Sequence, residues 1–409
     1  MTFLSPNPVA SPAKAAFLSN AARKNGPYPD TFKATLSHAG YSRAAGVISS
    51  WSGYAPTPLA SLSALAAELG VASVHYKDEG GRFGLGSFKA LGGAYAVFRL
   101  LASELQRRNG SVDEAALAAG QLKELAKDIT VCCATDGNHG RSVAWGARMF
   151  GARAVIFIHA TVSEKRAEAI RSYGAEVVRT AGNYDDSVRE ADRTAATNGW
   201  FVVSDTSYPG YTDVPRDVMQ GYAVMVEEAL NALDAPPTHV FIQAGVGGLA
   251  AAVIAHLWEA YGADMPAIVV VEPDKAACLY ESAQAGKPTT VNGDLDTVMA
   301  GMACGEPSVI AWPIVQGGAS AFMAIPDEAA MSAMRLLASG AAGATIVGGE
   351  SGVAGLAGLI VAASQPDWRQ KLGLDDASRV VLFGSEGDTD PDLYARIVGR
   401  TGDAVRAGA

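Results

Sequence analysis

The run QAGVGGLAAAVIAHLWEAY, residues 243–261, holds three kinds of segment in nineteen positions: the end of a strand, a glycine turn and an amphipathic helix. Gly245, Gly247 and Gly248 have no Cβ, so the backbone can curl tightly and aim several N–H groups at one anion on the helix N-terminus. A phosphate suits such a turn. GVGGLA also satisfies GxGxxA, with Glu272 ending the next strand where a ribose-binding acid would stand, so a nicotinamide-dependent dehydrogenase remains open at this point. A tight strand–helix turn with no ligand uses the same residues.

Outward from this turn, short β-branched runs alternate with alanine-rich helical segments, the pattern of parallel sheets covered by helices. Strands are expected at VHYKDE from Val74, TVCCATD from Thr130, AVIFIH from Ala154, AEVVRTAG from Ala175, FVVSDT from Phe201, HVFIQAG from His239, AIVVVEP from Ala267 and RVVLFGSEG from Arg379. Ligands of open α/β sheets bind beyond the carboxyl ends of the strands, which is where the motifs lie. The first fifty residues and the last fifteen read as arms or docking segments. In all, 409 residues, 49% apolar and 18% charged, give room for two or three domains.

The balance of 32 basic and 42 acidic residues, net −10, argues against nucleic acid or an anionic membrane as partner and for a small ligand. The opening MTFLSPNPVASPAK has no signal-peptide core, and the uncharged stretch Pro307–Pro326 is broken by prolines and Gly-Gly, so a cytoplasmic protein with no membrane partner is expected. None of the cysteines, Cys132, Cys133, Cys278 and Cys304, has metal-site spacing with histidines. Burial is their default reading, and a Cys278–Cys304 bridge would run against the reduced state of cytosolic thiols.

Two further stretches carry chemistry. In GSFKALGG, from Gly86, Lys89 is the only charged residue between Arg82 and Arg99, and the apolar positions Leu91, Tyr95, Phe98, Ala102 and Leu105 mark one helical face. Ser87 is the expected cap, Lys89 lies in the first turn, and the small neighbours are expected to leave room for a flat ligand. Such a lysine can form a Schiff base, although alone it reads equally as a surface side chain. In CCATDGNHGRSVAW, from Cys132, amides at the helix start could bind a carboxylate, with Thr135, Asp136, Gly137 and His139 around it, and the Asn138 amide could bond a flat polar ring. Asp136 is either a cap or a base, and His139 alone reads as a packing histidine.

SFKALGGAYAV, DGNHG, AGVGGLA, VVVEPDKAAC, GESG and GSEGD occur in the order seen in the fold-type II pyridoxal-phosphate enzymes, which the chain resembles over about residues 50 to 390. Within them it is most similar to the diaminopropionate ammonia-lyases, through KDEGGRFGLGSFKALGG, ATDGNHGR, AGNYDDSVREA, DTSYPGYTDVPRDVMQGY and VMAGMACGEPS. The resemblance implies an α/β fold of two open, twisted, mostly parallel sheets flanked by helices, with pyridoxal 5'-phosphate between the domains. It implies a large cofactor-binding domain of residues 1–92 and 217–409 around a small one of 93–216, and a homodimer.

By the same resemblance Lys89 is the aldimine lysine, Asn138 faces the cofactor's 3-hydroxyl, and Gly245, Val246, Gly247, Gly248 and Leu249 hold its phosphate. Ser385 partners the pyridine nitrogen, with glycine at the neighbouring position, Gly384. Glu350, in the GESG turn, is a cap or a cofactor-side residue. Asp136 and Asp205 are the acidic pair, which suits a diamino acid: Lys89 would take the Cα proton of the L-isomer and Asp136 that of the D-isomer. Asp205 would orient the substrate or assist, unless it is a turn cap. The implied reaction is elimination of 2,3-diaminopropionate through aminoacrylate to pyruvate and ammonia. A serine or threonine dehydratase, or a lyase of another 3-substituted amino acid such as a hydroxyaspartate, uses the same machinery.

Overall fold

The computed structural model describes residues 15–135, 137–182 and 184–408. They form two compact units, the larger drawn from the described residues of 15–37, 56–81 and 225–408, the smaller from those of 38–55 and 82–224.

The larger unit holds β1 (Ala16–Ser19), β2 (Leu59–Ser61) and β3 (Ser73–Asp78); the smaller holds β4 (Thr130–Ala134), β5 (Arg153–Ile158), β6 (Glu176–Arg179) and β7 (Phe201–Val202). The chain then returns to the larger unit for β8 (His239–Gln243), β9 (Ala267–Pro273), β10 (Ala321–Ile325) and β11 (Arg379–Gly384). The seven-stranded sheet runs β1-β10-β9-β8-β11-β3-β2 and the four-stranded sheet β6-β5-β4-β7. All pairs are parallel except the two outer ones, β1 on β10 and β2 on β3.

The central strands β8 and β9 are buried almost along their length, as continuous apolar runs covered on both faces must be. The helix Ala354–Ser364, AGLAGLIVAAS, is buried nearly all round on them. Glycines set how near it lies: a Cβ on Gly355 would stand 2.5 Å from the Phe241 carbonyl oxygen, and one on Gly358 2.6 Å from Val271 Cγ2. One buried ion pair ties separate segments of this unit, since Lys77 Nζ donates to Glu228 Oε2 at 2.6 Å and to the Thr57 carbonyl at 2.7 Å.

In the smaller unit the helices Lys89–Asn109 and Asn138–Phe150 pack backbone to backbone. A Cβ on Gly93 would lie 1.9 Å from Ser142 Oγ, and one on Gly146 2.8 Å from Ala94 Cα. Gly92 likewise faces Tyr222 and the Val218 carbonyl, at 2.4 and 2.7 Å from such a Cβ. The small residues after Lys89 are therefore seats for neighbouring helices, a correction to their reading as space for a flat ligand. Ser87 is not the cap: Phe88 precedes the helix, with no side-chain cap.

Three strands were not expected. β1 and β2 are short edges, and β10, AFMAI, lies in the uncharged stretch that was weighed only as a membrane span. Where described, the arms are structured: residues 16–19 are β1, the helix His38–Ile48 belongs to the smaller unit, and the tail folds as the helices Pro391–Val398 and Gly402–Arg406, while residues 1–14 lie outside the described residues. The units divide near residues 81 and 224 instead of 92 and 216, because the whole lysine helix packs within the smaller unit. The helix Asp213–Asn231 begins at the Asp213–Pro215 signal and carries the chain back to the larger unit. Among the described residues no helix is long and apolar enough to cross a membrane.

Candidate active site

In the smaller unit β4 and β7 are parallel neighbours, Cys132 opposite Val202, so their two exit loops emerge at one end of the sheet. After β4 come Thr135, Gly137, Asn138 and His139; after β7 comes Asp205. Asp136, the expected base, lies outside the described residues. Thr135 is buried and its Oγ1 accepts from the amides of Gly137 at 3.0 Å and Gly140 at 3.1 Å. Those two amides are thereby used, so the helix start offers a carboxylate less than its sequence implied, and Thr135 shapes the turn. Asn138 opens the helix half-buried.

Lys89 Nζ donates to Asp205 Oδ2, and about four-fifths of each side chain is covered. Asp205 is thus an ion-pair partner of the lysine, not the turn cap that was its alternative. Burial alone would raise its carboxyl, but His139, when its ring is protonated, and the Lys89 ammonium outweigh that and hold it well below the ordinary carboxylate range. His139 is buried, its Nε2 bonded to the Val203 carbonyl at 2.7 Å and its Nδ1 3.8 Å from Asp205 Oδ2. Burial lowers its imidazole. The Phe88 and Tyr222 rings flank Lys89 Nζ, with centroids 5.3 and 5.8 Å away.

β7 is only two residues long, so its exit is held by side chains. Tyr211 Oη accepts from the Ser204 amide at 2.9 Å and donates to the Val202 carbonyl at 3.0 Å. His139 takes the carbonyl between them, and the Val203 amide donates to the Cys132 carbonyl at 2.8 Å. Asp205 therefore leaves a backbone that is fixed at three consecutive residues. Neither Tyr211 nor Tyr222 was singled out from the sequence; only the tyrosines of SYPGY after the acid hinted at the clasp.

In the larger unit β8 and β11 are parallel neighbours, which brings the glycine turn and Ser385 to one end of that sheet. Gly247 has φ +103°, a conformation that favours glycine, and precedes the helix Gly248–Tyr261 with no side-chain cap. No backbone acceptor among the described residues takes the amides of Gly247, Gly248 and Leu249. Gly245 and Val246 are half-buried. The turn is thus a set of amides at a helix N-terminus suited to an anion.

Gln243, buried at the end of β8, donates through Nε2 to the Phe383 carbonyl and to Ser385 Oγ, both at 2.7 Å. With an acceptor lone pair of Ser385 occupied, its O–H is left to donate elsewhere. Gln243 escaped the sequence reading, although it is the polar end of β8, after the apolar Val240, Phe241 and Ile242. Gly384 packs under Tyr76: a Cβ there would fall 2.1 Å from the ring, so position 385 is where a hydroxyl fits. Glu350 is buried in the turn that leads into the helix Ala354–Ser364. Its turn packs on the loop after β11, with Glu386 Oε1 accepting from the Ser351 amide at 3.0 Å.

Glu272 is fully buried, each carboxylate oxygen taking an amide, Leu279 at 2.9 Å and Tyr280 at 2.7 Å. Burial pushes it up to about 8. It serves a helix start and is not presented to a ribose, which removes the residue on which the dehydrogenase reading stood. All four cysteines are free thiols, and Cys278 Sγ bonds the Gly245 carbonyl at 3.5 Å.

The model of the family described as pyridoxal-phosphate dependent enzyme matches residues 51–386. The diaminopropionate ammonia-lyase of Salmonella typhimurium is 44% identical over 356 residues, 84% of this chain and 88% of its own. The Escherichia coli diaminopropionate ammonia lyase, solved in complex with an aminoacrylate–PLP azomethine reaction intermediate, superposes with a TM-score of 0.85 at 36% identity, covering 94% of this chain and 97% of that one. The same enzyme in complex with D-serine gives 0.86 at 37%, with the same coverage. The chain belongs to the pyridoxal-phosphate-dependent enzyme family, among its diaminopropionate ammonia-lyases.

Proposed function

We propose that this chain catalyses the pyridoxal-phosphate-dependent α,β-elimination of 2,3-diaminopropionate. One diaminopropionate and one water give one pyruvate and two ammonia. The observation that carries the reading is the Lys89–Asp205 pair, set beside the Asn138 loop in a chain 44% identical to a diaminopropionate ammonia-lyase.

The residues fit the cofactor. The amides from Gly245 to Leu249 suit the phosphate, the Ser385 hydroxyl the ring nitrogen, the Asn138 amide the ring hydroxyl, and Lys89 Nζ the aldehyde. Bound, pyridoxal phosphate supplies an electron sink for the carbanion at the substrate's Cα. Lys89 Nζ takes the Cα proton of the L-isomer, and Asp136 is assigned that of the D-isomer. Asp205 holds Nζ in place through Oδ2, and Ser385, as a neutral donor, leaves the ring nitrogen unprotonated. Thr135 and Gly137 shape the turn, with His139 behind it; the turn that carries Glu350 packs on the loop of Ser385 through the Ser351 amide.

A homodimer in the cytoplasm is the setting we assign, supported by the resemblance, by the net charge of −10 and by the absence of a membrane-length helix among the described residues. The test is keto-acid release from a panel of D- and L-diaminopropionate, D- and L-serine, L-threonine and 3-hydroxyaspartate. Diaminopropionate should give the highest kcat/KM; a hydroxyl-bearing substrate leading by tenfold would make the chain a dehydratase instead. Lys89→Ala should abolish both turnover and the visible band that borohydride bleaches, and retention of either refutes the lysine's role.

A further inference from the structure

The elimination leaves a buried imidazole beside the lysine without a task. His139 Nε2 faces the Val203 carbonyl at 2.7 Å, and a carbonyl only accepts, so Nε2 carries the proton in the neutral ring and Nδ1 is a bare lone pair. Among the described residues Nδ1 has no hydrogen-bond partner. It lies 3.8 Å from Asp205 Oδ2, the same oxygen that accepts from Lys89 Nζ. A lone pair facing a carboxylate oxygen gains nothing until a proton stands between them; then it becomes half of an ion pair.

We propose that His139 is the proton reserve of Lys89: as Nζ passes from ammonium to free amine, Nδ1 of His139 takes up a proton opposite Asp205, and it releases the proton when Nζ is charged again. The charges balance. Ammonium, carboxylate and neutral imidazole sum to zero, and so do neutral amine, carboxylate and imidazolium, so the largely buried trio never carries an unpaired carboxylate. In this role His139 acts through Asp205, which makes it a positioning residue.

The neighbours leave Asp205 and Lys89 in control of this proton. From the helix Asp213–Asn231 the Tyr222 phenol faces Lys89 and Asp205, and from β4 the Cys133 thiol faces Asp205; burial raises both groups, so both stay neutral. On its own helix the Ser142 hydroxyl donates to the His139 carbonyl at 2.7 Å and does not titrate. From the lysine helix the neighbours are Lys89 and Gly93. Asp136 stands three positions earlier in the chain, and replacing Asp205 alone separates the two carboxylates.

The inference rests on Lys89 being the cofactor's lysine, but its test needs neither cofactor nor turnover. The full chain, labelled with 13C at the histidine rings, is titrated by NMR, and the His139 signal is identified by its loss in His139→Gln. In Lys89→Met, or in Lys89→Gln as a second neutral variant, the His139 midpoint should rise by about one pH unit or more, the scale of an opposite charge within ~4–6 Å. Adding Asp205→Asn should remove the rise. A midpoint that stays where it is in both lysine variants overturns the proposal, as does a rise that survives Asp205→Asn. Either failure leaves the borohydride test of Lys89 untouched.

Discussion

Replacing Gln243 by Leu removes one amide and changes two things that can be measured separately. The Nε2 group serves two acceptors at 2.7 Å, the Phe383 carbonyl and Ser385 Oγ, with the Gly352 carbonyl further off at 3.4 Å. A buried acceptor stripped of its donor costs about 1–3 kcal/mol, so the variant should lose about 2 kcal/mol in stability, read as a lower urea midpoint. Ser385 loses the group that holds its acceptor side, and its hydroxyl can then turn away from the ring nitrogen. A neutral hydrogen bond contributes about 1 kcal/mol, so the affinity for pyridoxal phosphate should fall roughly fivefold. The assay is titration of the cofactor-stripped protein with pyridoxal phosphate, followed by absorbance. Ser385→Ala sets the scale and should weaken binding at least as much. If Gln243→Leu binds the cofactor as tightly as the parent while Ser385→Ala does not, the orienting role of Gln243 is wrong.

Asp136→Asn should depress kcat/KM for the D-isomer of diaminopropionate at least tenfold more than for the L-isomer, and equal losses remove the case for a base on each face. Gly93→Ala places a methyl 1.9 Å from Ser142 Oγ. Overpacking costs about 1–3 kcal/mol and the better helix former returns about 1, so a net loss of up to about 2 kcal/mol is expected in urea unfolding. Adding Ser142→Ala should restore most of it, and strictly additive losses would contradict the contact. Glu272 has a folded-state value raised from 4.5 to about 8. Its stabilising contribution is then complete below about pH 4.5, where folded and unfolded states both hold the proton, and is lost as the pH rises to about 8. The parent should lose stability across that window by up to about 1.4 kcal/mol per pH unit, and Glu272→Gln should flatten the slope. Parallel profiles would count against it.

What could be read from the chain was local. Gly247 is needed where the backbone turns at φ +103°, and that need is written within six residues, so the glycine turn and its helix stand out. The motive for Gly92 and Gly93 was not local: the atoms that forbid a Cβ belong to Ser142, Val218 and Tyr222, more than forty residues away in sequence. β10 was missed because AFMAI has no alternation and few β-branched residues; its strand state comes from pairing with β9 and β1. Asp205 could be picked out as an acid after a strand, but its partners Lys89 and His139 come from two other helices. Gln243 was visible as a polar residue ending the apolar run Val240–Ile242, yet only the register of β8 with β11 shows what it holds.

The phenol of Tyr211 closes a short ring of chain on itself, from Val202 and Ser204 round to residue 211. Spelling and spacing in that ring are under different constraints. Within it Tyr208 stacks on the Tyr211 ring, with centroids 5.0 Å apart, and Gly210 turns the chain at φ +88°, while one inserted residue adds up to about 3.5 Å of contour and withdraws the hydroxyl from both partners. Chimeras built by swapping this loop with relatives should therefore work when its length, the stacked Tyr208 and Gly210 are kept, and fail when the length is not.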